Sequence, residues 1–249
     1  MVFRALYPRG GEVEIEDHVC DLDLRAGATP ERPYTVANFV STVDGRASFQ
    51  GRSGALGDQG DKAMFRALRG AVDAVLVGTG TLQGENYGRL IRDPDARSRR
   101  RAEGLSDEPL ACTVTRSGRL PVEIPLFAEP EAKVIVFSSR EIDLKNVAAQ
   151  VEVVRIPEDK LSFAAALAHL RGHQNVHALL CEGGPTVFSG LLSEGVVDEL
   201  FLTLAPKLVG GGDEPAITGG PELPELADVR LAGVLEREGT LFLRYKRRI

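Results

Sequence analysis

Hydrophobic and polar positions along this chain form two patterns: short apolar runs, and stretches with an apolar residue at every third or fourth position. The first pattern is typical of buried strands and the second of amphipathic helices. Their alternation predicts an α/β protein, with a mostly parallel central sheet flanked by helices. The run AVLV at 74–77 is wholly apolar, which suits a central strand covered on both faces. Strands are predicted at 34–43, 74–77, 111–115, 133–137, 152–156, 176–181 and 200–204.

Three helices are predicted between these strands. The helix at 58–70 has Asp58 as its N-cap and Asp61 in its first turn, near the positive end of the helix dipole. A second helix is expected at about 162–171 and a third after 186. Residues 228–246 are predicted to form a C-terminal antiparallel hairpin that turns near 238–239.

Two regions of the chain show neither of these patterns. Residues 1–33 are mixed and polar, which predicts an N-terminal arm or irregular lead-in before a single domain at 34–249 with about nine strands. Residues 93–108 are charged and bounded by prolines, so we expect a surface loop. Within it the run RSRRR at 97–101 is interpreted as solvated, with contact to an anion as the alternative.

Composition narrows the possible functions. The chain has 249 residues, of which 43% are hydrophobic and 27% charged, and this excludes a disordered protein. Its net charge of −6 argues against a general nucleic-acid binder, although a local basic pocket for a small anion stays possible. Cys20, Cys112 and Cys181 are far apart and form no CxxC pair, so we expect no disulfide framework and no cysteine zinc site. Without a signal peptide or an apolar stretch of spanning length, we expect a cytoplasmic protein that does not enter the membrane.

Two strand ends carry glycines where a phosphate binder needs them. In VGTGTLQG (77–84), Gly78 and Gly80 fit a GxG pattern, but Gln83 stands where the dinucleotide fingerprint has its third glycine. A simple tight turn is the alternative. In EGGPT (182–186), Pro185 suits the first turn of a helix whose free N–H groups could bind a pyrophosphate, with a plain connection as the alternative. Together the two turns favour a dinucleotide lying across the sheet.

Several polar residues have both a functional and a structural interpretation. Glu182 follows a buried strand, where it could meet a substrate, and Glu85 could bind a ribose hydroxyl or face water. Asp44 precedes a glycine, which is most often a turn. The spacing of His169, His173 and His177 would align them on one helix, but Gly172 and the following strand break it, so surface histidines are favoured over a zinc site.

Several motifs in order resemble the reductase half of the bifunctional riboflavin-biosynthesis deaminase/reductase. They are TVDG (42–45), RSGALG (52–57), ALRGAVDAVLVGTGT (67–81), RLIR (89–92), VTRSGRLP (114–121), LLCEGGPTVFSGLLSEGVVDEL (179–200) and LAPKLVGG (204–211). The resemblance covers about 34–246 and implies a dihydrofolate-reductase-like fold, NADPH as cofactor and a homodimer. It also implies reduction of the ribose of a phosphoribosylamino-pyrimidine, a small phosphorylated substrate. The zinc signature HxE…PCxxC of the deaminase half is absent, so the chain resembles a stand-alone pyrimidine reductase.

The same resemblance implies roles for individual residues. The catalytic positions would be Asp44, where nicotinamide and substrate meet, and Glu182, which would also bind substrate. Arg116 would meet the 2′-phosphate of NADPH. The other substrate residues would be Ser53, Arg69 and Arg92. The other cofactor residues would be Val40, Gly78, Gly80, Thr81, Glu85, Gly183, Gly184, Pro185, Thr186 and Val187.

The substrate half departs from the family pattern. Asn38 stands where the family often has lysine, and the segment 84–87 (GENY) replaces an acidic ADDP. Two alternatives therefore stay open. One is a reductase of dihydrofolate or another pterin, with Asp44 or Glu182 pairing with the pterin amino group. The other is a non-catalytic NADPH-binding protein.

Overall fold

A computed structural model describes residues 1–248, and within them one sheet holds eleven strands in the order β2-β1-β10-β11-β9-β3-β8-β4-β5-β6-β7. The strands are β1 Val2–Tyr7, β2 Gly11–Glu14, β3 Tyr34–Thr42, β4 Ala74–Leu76, β5 Leu110–Thr115, β6 Lys133–Ser138, β7 Gln150–Arg155, β8 Ala178–Cys181, β9 Glu199–Ala205, β10 Val229–Arg237 and β11 Thr240–Arg247. The helices are α1 Ile15–Cys20, α2 Gln59–Ala71, α3 Thr79–Gly84, α4 Pro94–Ala102, α5 Pro125–Ala128, α6 Phe163–Gln174 and α7 Pro185–Ser193.

The seven strands from β9 to β7 pair in parallel, and this part of the sheet carries the wholly apolar runs. Neighbouring side chains of a strand point to opposite faces. Accordingly Val75 packs with the core that α1 and α2 cover, whereas Leu76 packs with the core that α6 and α7 cover. Both faces of the inner strands β4 and β8 are thus buried, which explains why their sequences lack polar alternation.

The other four strands are antiparallel. β11 pairs with β9, β10 with β11, β1 with β10 and β2 with β1. The hairpin of β10 and β11 turns at Glu238 and Gly239, both at positive φ, so the predicted C-terminal hairpin is confirmed. Residues 1–33, expected as an arm or irregular lead-in, contain β1, β2 and α1, with Phe3 and Ile15 in the core.

The predicted helix at 58–70 is α2, and the Asp58 carboxylate accepts a hydrogen bond from the Asp61 N–H at 2.8 Å as its N-cap. The expectation of a loop at 93–108 is wrong, because α4 lies there. Asp93 caps it and Pro94 occupies its first turn, a combination that starts a helix even in a charged segment.

The interpretation of RSRRR as solvated is wrong for Arg100, because this residue is only 1% exposed. Its guanidinium donates to the carbonyl oxygens of Arg69, Gly70 and Val72 at 2.8–3.0 Å and so caps the C-terminal end of α2. Burial lowers the pKa of Arg100 to about 10. Among the described helices, none has the length and apolar content needed to cross a bilayer.

Candidate active site

The two glycine turns meet at the carboxyl ends of the neighbouring parallel strands β4 and β8. The Gly78 N–H donates to the Gly183 carbonyl oxygen at 2.7 Å. A Cβ on Gly78 would lie 2.9 Å from the Val187 side chain, and a Cβ on Gly184 would lie 2.7 Å from the Thr81 hydroxyl. The turns therefore pack backbone against backbone, which leaves a surface that a ligand can approach closely.

Helix α7 starts at this point, with Gly184 as its N-cap and Pro185 as its first residue. Gly184 has no side chain to cap the helix, and the first N–H groups of a helix have no acceptor inside it. These N–H groups and the helix dipole suit a phosphate. Together with the glycine turns, α7 fits the phosphates of a dinucleotide cofactor.

A cleft of about 1160 Å³ opens beside these turns. That volume suits a ligand of nucleotide size. Ten of the residues assigned to the site from the sequence line it: Val40, Ser53, Arg69, Gly80, Thr81, Glu85, Arg92, Glu182, Gly184 and Pro185. Gly78 and Gly183 are buried directly below, and Thr186 and Val187 follow in α7. Most of the residues that the sequence analysis assigned to the site therefore lie together in the fold.

Glu182 is the most constrained side chain of the cleft. Its carboxylate is 1% exposed and accepts two hydrogen bonds from Arg69, from Nε at 2.6 Å and from Nη2 at 2.7 Å. The Tyr87 hydroxyl donates to the same carboxylate at 2.8 Å. Such a bidentate pair fixes the orientation of both groups, and lone pairs of the carboxylate remain for a ligand.

Arg69 is held equally firmly. Its Nη1 donates to the Leu90 carbonyl oxygen at 2.9 Å, and its guanidinium carbon lies 4.2 Å from the centre of the Phe65 ring. Although burial opposes the charge, Glu182 raises the pKa of Arg69, and burial together with Glu182 raises the pKa of Tyr87. Arg69 is therefore a fixed cation beside Glu182, with two of its five N–H donors unused.

Ser53 and Glu85, two more predicted site residues, are hydrogen-bonded to each other inside the cleft. The backbone N–H and the hydroxyl of Ser53 both donate to the Glu85 carboxylate, at 3.2 and 2.9 Å. Three exposed arginines, Arg66, Arg92 and Arg99, line the cleft, and Arg99 pairs with Asp93. An anionic group such as a phosphate would meet complementary charge there.

Two predicted residues lie apart from the cleft lining. Asp44 sits in a turn closed by the Gly45 N–H, and its carboxylate accepts hydrogen bonds from Thr42 and from the backbone of Val209 and Gly210. These bonds, with that of Thr42 foremost, lower the pKa of Asp44. Arg116 is exposed just past the end of β5 and donates to the Leu161 carbonyl oxygen at 2.8 Å.

Asp61 and Phe65 line the cleft, but the sequence analysis did not assign them to the site. The available signal was their spacing: Asp61, Phe65 and Arg69 are four residues apart, so one stripe of α2 carries all three. Elsewhere His169 and His173 stack at 4.3 Å between ring centres. Among residues 1–248, no group of three or more metal-ligating side chains is placed to hold a metal ion.

The chain is similar to several known proteins. The family model described as "RibD C-terminal domain" matches residues 33–241. A 2,5-diamino-6-ribosylamino-4(3H)-pyrimidinone 5′-phosphate reductase from Archaeoglobus fulgidus is 29% identical over 193 residues, which is 76% of this chain and 87% of the relative. A reductase of the same name from Methanothermobacter thermautotrophicus is 29% identical over 214 residues, covering 84% of this chain and 94% of the relative.

Among solved structures, a pyrimidine reductase-like protein from Corynebacterium diphtheriae is similar over 95% of this chain and 100% of its own, with a TM-score of 0.79 and 26% identity. RibD from Acinetobacter baumannii shares the fold over 88% of this chain and 58% of its own, with a TM-score of 0.70 and 21% identity. The predicted α/β fold with a mostly parallel sheet is confirmed.

Proposed function

The chain belongs to the RibD C-terminal domain family, and from this membership we propose that it is an NADPH-dependent reductase of a phosphoribosylamino-pyrimidine in riboflavin biosynthesis. The family resemblance and the enzyme class, an oxidoreductase, are confirmed by the match and by relatives that are pyrimidine-phosphate reductases. The substrate we propose is 5-amino-6-(5-phosphoribosylamino)uracil or its diaminopyrimidine counterpart. The names of the archaeal relatives support the diamino form.

One observation carries the proposal: the glycine turns and the α7 N-terminus open onto the same cleft as the Arg69–Glu182 pair. A dinucleotide cofactor and a polar substrate would thus lie next to each other. Holding two reactants in contact is itself a large part of catalysis, since it removes the entropy cost of their encounter.

The residues that would hold NADPH are those of the glycine turns. Gly80, Thr81, Gly184 and the first N–H groups of α7 would receive its phosphates, and Arg116 would receive the 2′-phosphate as a planar cation. Val40 and Glu85 would line the remainder of its path. When bound, NADPH supplies a hydride.

The chain's own residues bind and orient the substrate. Arg92, together with the two unused N–H donors of Arg69, would bind the 5′-phosphate, and Ser53 would add a hydroxyl. Glu182 would orient the ring or the ribose with its remaining lone pairs. The contacts of Asp44 favour a structural role, in which its carboxylate holds the backbone of 209–210 beside the site.

The test is oxidation of NADPH by the purified protein with the two pyrimidines and dihydrofolate in parallel. We expect turnover of a pyrimidine and none of dihydrofolate. Glu182→Gln is expected to lower kcat/KM by roughly tenfold to a hundredfold, because hydrogen bonds to charged groups contribute about 1.5–3 kcal/mol. The exposed Glu12→Gln is the matched control. Absence of pyrimidine turnover by the wild type would refute the proposal.

A homodimer also belongs to this proposal. Its support is an apolar sheet face where β9 pairs with β11, on which Leu202, Leu204, Leu241 and Leu243 are only half-buried.

A further inference from the structure

Among the carboxyl groups that line the cleft besides Glu182 is that of Asp61. It belongs to the α2 stripe that also contains Phe65 and Arg69. With a rise of about 1.5 Å per residue, successive members of the stripe lie about 6 Å apart along the helix. The cleft wall therefore presents in order a carboxyl group, an aromatic ring, and an arginine bound to Glu182. A planar heterocycle against Phe65 would have Asp61 at one edge.

The Asp61 carboxyl group lies next to the Thr203 hydroxyl and has no ion-pair partner among the described residues. Within residues 1–248 it accepts no hydrogen bond by geometry and forms no ion pair, and the ammonium of nearby Lys207 donates instead to the carbonyl oxygens of Ala55 and Leu56 at 2.8 Å. A Cβ on Gly57 would lie 2.2 Å from Asp61 Oδ2, so the carboxyl group packs directly under that backbone. Burial raises its pKa, and the neighbouring Thr203 hydroxyl opposes that rise. A ligand with N–H donors would satisfy it.

Two further polar groups in this region lack partners. Asn38 is 8% exposed and Thr203 is 1% exposed, yet Asn38 Oδ1 and Thr203 Oγ1 have no hydrogen-bond partner among the described residues. Asn38 lines the same cleft. Because Val40 lies opposite Thr203 in the sheet, Asn38 and Thr203 share one face, the face against which α2 packs. Each unpaired buried polar atom costs about 1–3 kcal/mol, which indicates that something else completes them.

The chemistry of the two candidate pyrimidines differs at one edge. A 2-aminopyrimidin-4-one carries a ring N–H next to its 2-amino group, and these two parallel donors match a carboxylate as a guanidinium does. In the uracil form a carbonyl oxygen replaces the amino group, so a carboxylate would face a lone pair. A site that hydrogen-bonds a donor discriminates strongly against an analogue that lacks it.

We propose that Asp61, supported by Asn38 and Thr203, binds the 2-amino and ring N–H edge of the pyrimidine and makes the enzyme select the undeaminated diaminopyrimidinone over the uracil. This inference rests on the proposed function and names its substrate. Phe65 stacks against the ring, and Gly57 positions the carboxyl group.

The experiment compares kcat/KM for the two pyrimidine phosphates in the wild type, Asp61→Asn and Asp17→Asn. The wild type is expected to prefer the diamino form at least about tenfold, the discrimination typical of one bidentate pair. Asp61→Asn should reduce or reverse that ratio, because an amide offers one donor and one acceptor and so matches the uracil edge. Asp17 is an exposed carboxylate that lines the same cleft, so Asp17→Asn should leave the ratio unchanged.

Gly57→Ala tests the positioning separately. The added methyl group must displace the Asp61 carboxyl group, so the ratio should fall while circular dichroism shows an intact fold. A wild type without preference, or an Asp61→Asn variant that loses both substrates equally, would overturn the inference.

If neither pyrimidine is turned over, the proposed function is refuted. The inference about Asp61 is then tested by measuring the binding of the free bases. Calorimetry then measures 2-aminopyrimidin-4-one and uracil as free bases against wild type and Asp61→Asn. Preferential binding of the amino base, lost in the variant, would support the site. Equal or absent binding would refute it.

Discussion

At the scale of single residues, the buried carboxylates Glu182 and Glu199 have partners that lie far away in the sequence. Arg69 meets Glu182 across 113 positions, and Arg244 meets Glu199 across 45. The position of Glu182 after a buried strand indicated a polar group at a strand end, but its partners could not be predicted. The sequence analysis placed Asp61 in the first turn of α2, and only the tertiary fold shows that its half-buried carboxyl group lines the cleft next to Thr203.

Glu199 provides a prediction about acid stability. Its side chain is 1% exposed, and it accepts hydrogen bonds from the Tyr34 hydroxyl at 2.6 Å and Arg244 Nη2 at 2.7 Å, with Lys246 Nζ at 2.9 Å. Burial alone would raise its pKa, but these donors outweigh burial and the pKa of Glu199 lies below the usual range. A depressed folded-state pKa stabilises the protein above the unfolded-state value of about 4.5, and this stabilisation is lost as the pH falls through the folded-state value.

Glu199→Gln should therefore be less stable at pH 7 by about 3–5 kcal/mol, since it leaves buried cations unpaired. Urea unfolding at pH 7 and again well below the unfolded-state pKa checks this. The difference from wild type should shrink at the acidic pH, whereas the exposed Glu123→Gln should match wild type at both. A difference that is independent of pH would show that packing rather than charge is responsible.

At the scale of elements, local pattern predicted most of what surrounds the site. Helices α2, α6 and α7 and the parallel strands followed from apolar periodicity, because their own side chains are buried in the core wherever the pairing strand lies along the chain. β1 was missed because its partner β10 lies more than 200 residues away, and only that pairing buries Phe3 and Ala5. α4 was missed because its sequence is polar, with Arg100 rather than an apolar side chain as its buried residue.

The contact between the α7 N-terminus and the first glycine turn can be tested by a single methyl group. In Gly184→Ala the new Cβ would lie 2.7 Å from the Thr81 hydroxyl, so either the Thr81 side chain or the turn that carries it must shift. Even a small displacement of a group that positions a ligand is costly. We therefore expect the Kd for NADPH to rise at least roughly tenfold in a fluorescence titration.

The matched control is Gly172→Ala in α6, where the added methyl group meets no atom within 4 Å. Cofactor binding should be unchanged there, and stability should rise by about 0.5–1 kcal/mol because alanine favours a helix over glycine. Unchanged NADPH affinity in Gly184→Ala would mean that the cofactor phosphates do not lie between these turns.

At the scale of the whole molecule, the two halves of the sheet are covered differently. The parallel half has helices on both faces. Where β9 pairs with β11, the face that carries Phe201 and Phe242 is buried, whereas the opposite face carries Leu202, Leu204, Leu241 and Leu243, which are half-buried. Leu204 lies opposite Leu241 and Leu202 opposite Leu243, so these side chains form one continuous patch. Such a patch on an isolated chain is typical of a surface that another chain covers.

We expect this patch to join two copies of the chain in solution, since the same surface on both partners satisfies a two-fold interface. Leu204→Glu would place a charge on each side of that interface, and the cost of burying it unpaired should convert the dimer to a monomer in sedimentation at micromolar concentration. Leu226→Glu, on a side chain 96% exposed outside the sheet, should leave the mass unchanged. Circular dichroism should show both variants folded. A monomeric wild type would refute the dimer, and a Leu204→Glu variant that stays dimeric would place the interface elsewhere.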